Sequence, residues 1–215
     1  MEASLVDRLP ELPRPSGIGE RLRAERQRSG MTVREIARRV GVSPSLVSQI
    51  ERDKVNPSVS TLYGLVTVLG LTMGDLFGEP STAPEARPAS AADVPGSPVT
   101  APDTRAGINL ETGVRWERLT PASDPALEFL FVAYPPGASS CPEDSLVRHG
   151  GKEYGYVVSG RLGVRVGFDE YKLEPGMAIS FDSSSPHRLW TIGEEPAEAI
   201  WVVAGRQGDS RAITV

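Results

Sequence analysis

The chain has few of the residues that mark secreted, membrane-spanning or disulfide-stabilised proteins. Its 215 residues include a single cysteine, Cys141, so no disulfide can form within the chain. No apolar run approaches the roughly 20 residues that a membrane helix needs. The N-terminal sequence MEASLVDRLPELPRPSG is polar, is interrupted by prolines and lacks the apolar stretch of a secretory signal. We therefore expect a cytoplasmic protein with no membrane partner.

Positive charge is scarce overall but concentrated in one segment. The formal net charge is −5, whereas residues 17–60 hold nine Arg or Lys against five Asp or Glu. A basic segment on an acidic chain is typical of a nucleic-acid-binding module joined to another domain. Within this segment we expect Arg21, Arg26 and Arg28 to form a solvated helix face rather than DNA contacts.

The composition changes twice along the chain, which predicts a multidomain α plus all-β protein. Residues 17–78 have the pattern of five short helices, and residues 1–16 are expected to be a flexible tail. Residues 79–107 contain six prolines and no aromatic residue, which is typical of a disordered linker. Residues 108–215 consist of short alternating apolar runs between Gly and Pro, which indicates an all-β sandwich or barrel.

Capping residues locate a helix-turn-helix unit within the helical segment. Thr32 is a suitable N-cap for the second helix, and Gly41 supplies the turn that follows it. Ser43 caps a third helix, with Pro44 at its first position. This geometry lays the third helix in the major groove of DNA. Its polar side chains suit that role, because Gln reads adenine bidentately and Ser contacts bases or phosphates.

The run MTVREIARRVGVSPSLVSQIERDKVNPSVSTLYGLVTVLGLTMGDLF resembles the DNA-binding domain of XRE-type, or phage-repressor-like, regulators. The resemblance implies base contacts from Pro44, Ser45, Ser48 and Gln49. It implies positions near the phosphates for Thr32, Ser43, Arg52, Lys54, Asn56 and Ser60. Asp53 departs from the family's glycine, and we expect it to adopt the left-handed turn conformation. The alternative is a helical bundle used for protein contacts, since some family members have lost DNA binding.

The two histidines of the chain lie in RHGGKEYGYVVSGRLGVRV and LEPGMAISFDSSSPHRLWTI. These runs resemble the two motifs of the cupin barrel, a double-stranded β-helix of the jelly-roll type. Metal-binding cupins use two histidines and a glutamate of the first motif with one histidine of the second. Val147 replaces the first histidine, which leaves His149, Glu153 and His187 as a candidate site for zinc or iron.

The cupin resemblance also allows an organic ligand pocket without a metal. The predicted lining then comprises His149, Glu153, His187, Cys141, Val147, Phe181 and Leu189. We expect Trp116, Trp190 and Trp201 to be core or dimer contacts rather than ligand platforms.

An XRE-type head joined to a cupin barrel resembles the ligand-responsive transcriptional regulators. The resemblance implies a homodimer on a palindromic operator, with half-sites about 34 Å apart, and a small-molecule effector. It implies no catalytic residues. Two alternatives remain open: a metal- or redox-sensing regulator that uses the histidine cluster or Cys141, and a metal-dependent cupin enzyme with a DNA-binding head.

Overall fold

The computed structural model describes residues 17–78 and 96–205. The predicted tail at 1–16 and the linker residues 79–95 lie outside the described residues. The N-terminal part is helical, and its four α-helices are α1 Ile18–Arg28, α2 Val33–Val40, α3 Pro44–Ile50 and α4 Val59–Leu69. The predicted fifth helix is a 3₁₀ turn at Met73–Leu76. The predicted combination of a helical and an all-β part is confirmed.

Short polar side chains begin these helices at the predicted positions. The hydroxyls of Thr32, Ser43 and Ser58 each accept a hydrogen bond from the backbone N–H three residues further on. Gly41 and Gly70 end α2 and α4 with φ angles of 81° and 69°, which glycine adopts without strain. The α2–turn–α3 geometry therefore follows from local sequence signals.

The arginines of α1 differ from the predicted solvated face. Arg26 forms a two-point ion pair with Glu51, with Nε–Oε1 2.6 Å and Nη2–Oε2 2.9 Å, and both side chains are largely buried. Arg21 donates to the Leu76 carbonyl oxygen at 2.7 Å. Of the three arginines predicted to be solvated, only Arg28 is exposed, and it pairs with Glu25. The long aliphatic parts of the Arg21 and Arg26 side chains let their guanidinium groups reach acceptors on other elements of the domain.

Nine strands follow in the described C-terminal residues, 96–205. They are β1 Gly107–Asn109, β2 Arg115–Arg118, β3 Leu127–Tyr134, β4 Lys152–Ser159, β5 Leu162–Val166, β6 Asp169–Leu173, β7 Ala178–Asp182, β8 His187–Thr191 and β9 Ala197–Ala204. All pairings are antiparallel, in a six-stranded sheet of order β1-β2-β3-β9-β4-β7 and a three-stranded sheet of order β6-β5-β8. The inner faces of the two sheets enclose the core of this part.

The ordered β part begins before the predicted end of the linker. Pro102–Thr104 form a 3₁₀ turn, Ala106 is buried, and Gly107 opens β1. Arg118 N donates to the Ala106 carbonyl oxygen at 2.8 Å, which holds this segment beside β2. Residues 102–107 are therefore part of the folded barrel rather than of a disordered linker.

The helical and β parts pack directly against each other. Glu111 N donates to the Pro57 carbonyl oxygen at 2.9 Å, which joins the β1–β2 turn to the residue before Ser58. The Arg118 guanidinium lies 5.8 Å from the Phe77 ring centroid. Buried residues of both parts form one continuous hydrophobic cluster. Among the described residues no helix combines the length and apolarity that a bilayer crossing requires.

Candidate functional site

Three polar side chains meet inside the β part. His149 precedes β4, Glu153 lies within it, and His187 begins β8 of the opposite sheet. Alternation along the strands turns Glu153 and His187 inward, and the residues are 3–5% exposed. A bridge between Val147 and His187 brings the loop before β4 next to β8. The sequence-predicted histidine and glutamate residues are therefore assembled from two sheets into one cluster.

The two imidazoles direct the same ring nitrogen at one carboxylate oxygen. Glu153 Oε1 lies 3.0 Å from His149 Nε2 and 3.1 Å from His187 Nε2. The other nitrogen of each ring faces a backbone carbonyl oxygen, with Nδ1 of His149 3.0 Å from Gly150 and Nδ1 of His187 2.9 Å from Ser185. These carbonyls can each accept a hydrogen bond from an Nδ1–H group, so Nε2 is the ring atom that faces the carboxylate, either as an N–H donor or as a lone pair.

Glu153 is held as a carboxylate. Its Oε2 accepts a 2.7 Å hydrogen bond from the Trp201 indole N–H. Burial raises the pKa of this carboxyl, but the neighbouring His149 and His187 imidazoles and the Trp201 donor outweigh it and bring the pKa to about 2. A negative charge is therefore fixed at the centre of the cluster at neutral pH.

This donor set fits a divalent metal ion. The ligand atoms of His149, Glu153 and His187 lie within 4.8 Å of one another. His149 Nε2 and Glu153 Oε1 are buried and lack a hydrogen-bond partner of good geometry, although they are close together. A cation among these atoms would bind the Nε2 lone pairs of the two neutral imidazoles together with the carboxylate. Two imidazoles and a carboxylate suit zinc or iron, which would offer open positions to a donor atom of a ligand.

A small cavity adjoins the cluster. Its volume is about 20 Å³, which is space for about one water molecule. The lining comprises Val59, Tyr63, Trp116, Leu130, Val132, Tyr134, Ser140, Val147, His149, Glu153, His187, Leu189 and Trp201. Of the predicted ligand residues, Val147 and Leu189 line the cavity with the cluster. Cys141 and Phe181 do not: the Cys141 thiol donates to the Ser145 carbonyl oxygen, and the Phe181 ring lies beside His187.

Tryptophan and tyrosine side chains form much of the cavity lining, and the sequence did not predict them there. Trp201 pairs with Gly155 across β9 and β4, and its ring lies flat over the glycine. Trp116, interpreted from sequence as core, also faces the cavity. Trp190 does not, because it covers Gly163 on the smaller sheet. A glycine opposite a tryptophan on a neighbouring strand is the signal that marks a ring lying across the sheet.

One wall of the cavity comes from the helical part. The Tyr63 ring of α4 stacks on His149 with centroids 4.4 Å apart and planes at 29°. The same ring is tilted against Trp116 at 5.8 Å. Val59, one turn earlier on α4, contributes to the same wall. The cluster is therefore covered by the helix that follows the helix-turn-helix unit.

The predicted DNA-contacting residues form a surface around α3. Pro44 and Ser45 are exposed at the start of the helix, while Ser48 and Gln49 are half-buried one turn later. Gln49 Nε2 lies 3.5 Å from Ser45 Oγ. Of the residues predicted near the phosphates, Thr32, Ser43, Arg52, Lys54 and Asn56 are exposed, and Ser60 is half-buried.

Asp53 is in the left-handed conformation that its position requires. Its φ angle is 50°, as the sequence predicts for the residue that replaces the family's glycine. Asp53 Oδ1 also accepts a 2.9 Å hydrogen bond from Gly19 N, in the first turn of α1. The substitution thus adds a tie between the start of α1 and the end of α3.

Comparison with known proteins assigns the two parts separately. Residues 22–76 match the family described as Helix-turn-helix, and residues 130–203 match the family described as Cupin domain. HTH-type transcriptional regulator PuuR of Escherichia coli (strain K12) is 28% identical over 171 residues, which cover 79% of this chain and 84% of that protein. The similarity to PuuR therefore extends through both parts.

Two further comparisons agree with this assignment. The Immunity repressor protein of Bacillus phage phi105 is 36% identical over 62 residues, 29% of this chain and 43% of the repressor. The crystal structure of an HTH_3 family transcriptional regulator from Vibrio cholerae is similar with a TM-score of 0.60, at 24% identity, over 89% of this chain and 96% of that one. This last similarity establishes the order and fold of the two parts, and the predicted cupin fold is confirmed.

Proposed function

We propose that this chain is a transcriptional regulator with a helix-turn-helix domain and a C-terminal cupin domain, whose barrel binds an effector that alters operator binding. The observation that carries this proposal is the buried cluster of His149, Glu153 and His187. Two imidazoles and a carboxylate that converge at one buried place offer donor atoms to a metal ion or to a polar group of a ligand. The proposed output is a change in how the α3 surface binds DNA.

For DNA recognition we propose that α3 enters the major groove with Gln49 on a base edge. The exposed Ser45 and the neighbouring Arg52 and Lys54 support this arrangement, because they supply polar and cationic contacts around Gln49. Dimeric binding to two half-sites about 34 Å apart is proposed from the geometry of this class of domain. Native mass spectrometry of the purified chain tests the dimer directly, since a monomeric mass contradicts it.

Operator binding can be tested without knowing the operator beforehand. Duplexes selected from a random library by the full chain provide the probe, and fluorescence anisotropy provides the affinity. Gln49→Ala should weaken binding by roughly 5- to 150-fold, the worth of one bidentate base contact. Gln27→Ala, on the exposed end of α1, is the matched control and should leave the affinity unchanged. Equal affinities for Gln49→Ala and the original chain would overturn the base-reading role.

For the effector site we propose a divalent metal ion on the His149–Glu153–His187 cluster. Elemental analysis of the sample used for native mass spectrometry should give one zinc or iron per chain. If chelation then changes operator affinity, the metal is itself sensed; if affinity is unchanged, the metal is a platform for an organic effector. A metal-free chain that retains an organic molecule contradicts the metal and favours the organic pocket.

We propose a regulator rather than an enzyme. The relatives with similarity to this chain are named as transcriptional regulators or repressors, which supports this choice. Catalytic turnover by the metal-loaded chain with a candidate ligand would contradict the proposal.

A further inference from the structure

The helical domain supplies part of the wall of the barrel cavity. Val59 and Tyr63 lie one turn apart on α4 and both face the cavity rather than the core of their own domain. Tyr63 is 7% exposed, because its ring is enclosed between His149 and Trp116. The site is therefore built from two domains, one of which binds DNA.

The size of the cavity determines what can enter. Its 20 Å³ is far below the roughly 300–1,000 Å³ of a typical ligand pocket. A single ion fits, whereas an organic molecule needs the volume that the Tyr63 ring occupies. Tyr63 and Val59 are the lining residues that come from the helical domain, and the others belong to the barrel and its loops. The Tyr63 ring can therefore leave without unfolding the barrel.

Tyr63 is carried by a helix that is fixed in its own domain. Gly64 packs so closely on α2 that a Cβ there would lie 2.8 Å from Val40 Cγ1, and the neighbouring Leu62 is fully buried in the helical core. These contacts fix α4 within its own domain. A movement of α4 that takes the ring out of the cavity therefore carries the helical domain away from the barrel and breaks the flanking Pro57–Glu111 hydrogen bond.

We propose that Tyr63 belongs to the effector site, where an organic effector with a planar group replaces its ring on His149 and releases the helical domain from the barrel. This inference rests on the proposed function, because it explains how an effector reaches α3. The stacked geometry of Tyr63 and His149 defines the ligand class: a flat ring or a planar polar group with the thickness of a phenol. The effector and Tyr63 compete for one place.

Release has a definite consequence for DNA binding. A docked helical domain keeps the two recognition helices of a dimer at a fixed separation, and both half-sites are then bound together. A released domain remains tethered by the chain but loses this fixed geometry, so the second half-site contributes less avidity. The effector therefore weakens binding to a full operator and spares binding to a single half-site.

Spin-label distances test the docking without DNA or ligand. Labels at Arg23→Cys on α1 and Asp169→Cys on β6, in a chain with Cys141→Ser, report the separation of the two domains. Tyr63→Ala should lengthen and broaden this distance, whereas Tyr63→Phe, which keeps the ring, should not. Val59→Arg is a second variant that breaks the same contact. Unchanged distances in both Tyr63→Ala and Val59→Arg would overturn the proposal.

Operator affinity tests the coupling. Tyr63→Ala should bind the full selected operator roughly 100-fold more weakly than the original chain, by loss of avidity, and should bind a single half-site equally well. Tyr171→Ala, on the exposed face of β6, is the control for loss of a tyrosine and should change neither. Equal full-operator affinity for Tyr63→Ala refutes the coupling. If the original chain binds no duplex, the proposed function fails, while the distances still decide the role of Tyr63.

Discussion

Gly155 offers a sharp test of how the buried carboxylate is positioned. A Cβ at this residue would lie 2.1 Å from Trp201 Cζ3, whereas carbon atoms in contact are about 3.5–4.0 Å apart. Gly155→Ala must therefore push the indole away from β4. The ring cannot make that shift and still donate its 2.7 Å hydrogen bond to Glu153 Oε2.

Two losses add to give the expected magnitude. Overpacking a buried ring costs about 1–3 kcal/mol, and a hydrogen bond to a charged group is worth about 1.5–3 kcal/mol. We expect the free energy of unfolding to fall by about 4 kcal/mol and the Tm by roughly 8–16 °C. Because Trp201 orients a residue of the proposed metal site, zinc affinity should also fall about 10- to 100-fold. Thermal circular dichroism and competition titration with a chelating dye measure the two effects.

Gly163 supplies the matched control. A Cβ there would lie 2.1 Å from Trp190 Cε2, so Gly163→Ala overpacks a tryptophan in the same way. Trp190, however, lies beneath the Arg188 guanidinium and makes no contact with the cluster. This variant should lose about 2 kcal/mol of stability and keep full zinc affinity. The same zinc affinity in both alanine variants would refute the idea that Trp201 positions Glu153.

Two further predictions concern the helical domain. A Cβ at Gly74 would lie 3.0 Å from Ser123 Cβ, close to the roughly 3.5–4.5 Å of a disulfide, so Gly74→Cys with Ser123→Cys should oxidise and hold the two domains together. Mass spectrometry detects the bond. Tyr63→Ala in this disulfide-linked background should bind the full operator with the original affinity, and a reductant should weaken that binding again. Weak binding that persists in the oxidised form contradicts the docking argument. Arg26→Met leaves the buried Glu51 without its ion pair and should lower stability by about 3–5 kcal/mol in urea denaturation. Adding Glu51→Leu should restore part of this loss, and a fully additive double variant would show that the pair is not coupled.

Local signals predicted the helices well because each is fixed by a few neighbouring residues. Ser43 and Pro44 start α3 because a serine hydroxyl accepts a hydrogen bond from a free N–H of the first turn and a proline has a helical φ at the first position. Neither effect depends on the rest of the fold. The β part was less complete. β6, with the sequence DEYKL, was not predicted because four of its five residues are exposed and its apolar alternation is weak.

The polar cluster was predictable, but its surroundings were not. His149 and Glu153 are four residues apart, and His187 lies in a second recognisable motif, so sequence alone brought them together. Tyr63 precedes His149 by 86 residues and joins it only through the packing of two domains. One signal did exist: α4, with the sequence VSTLYGLVTVL, contains no charged residue, as expected of a helix buried on every side.

The uncharged surface of α4 limits how this protein can be recombined. A helix that serves two cores at once cannot be transplanted with either one alone, because the other half of its surface would then face water. In a chimera of this helical domain with the barrel of another protein, that barrel must offer a complementary recess for Tyr63 and Val59. Exchange of helical domains and barrels among such regulators is thus constrained by the shape of this one contact, and a change on one side of it requires a matching change on the other.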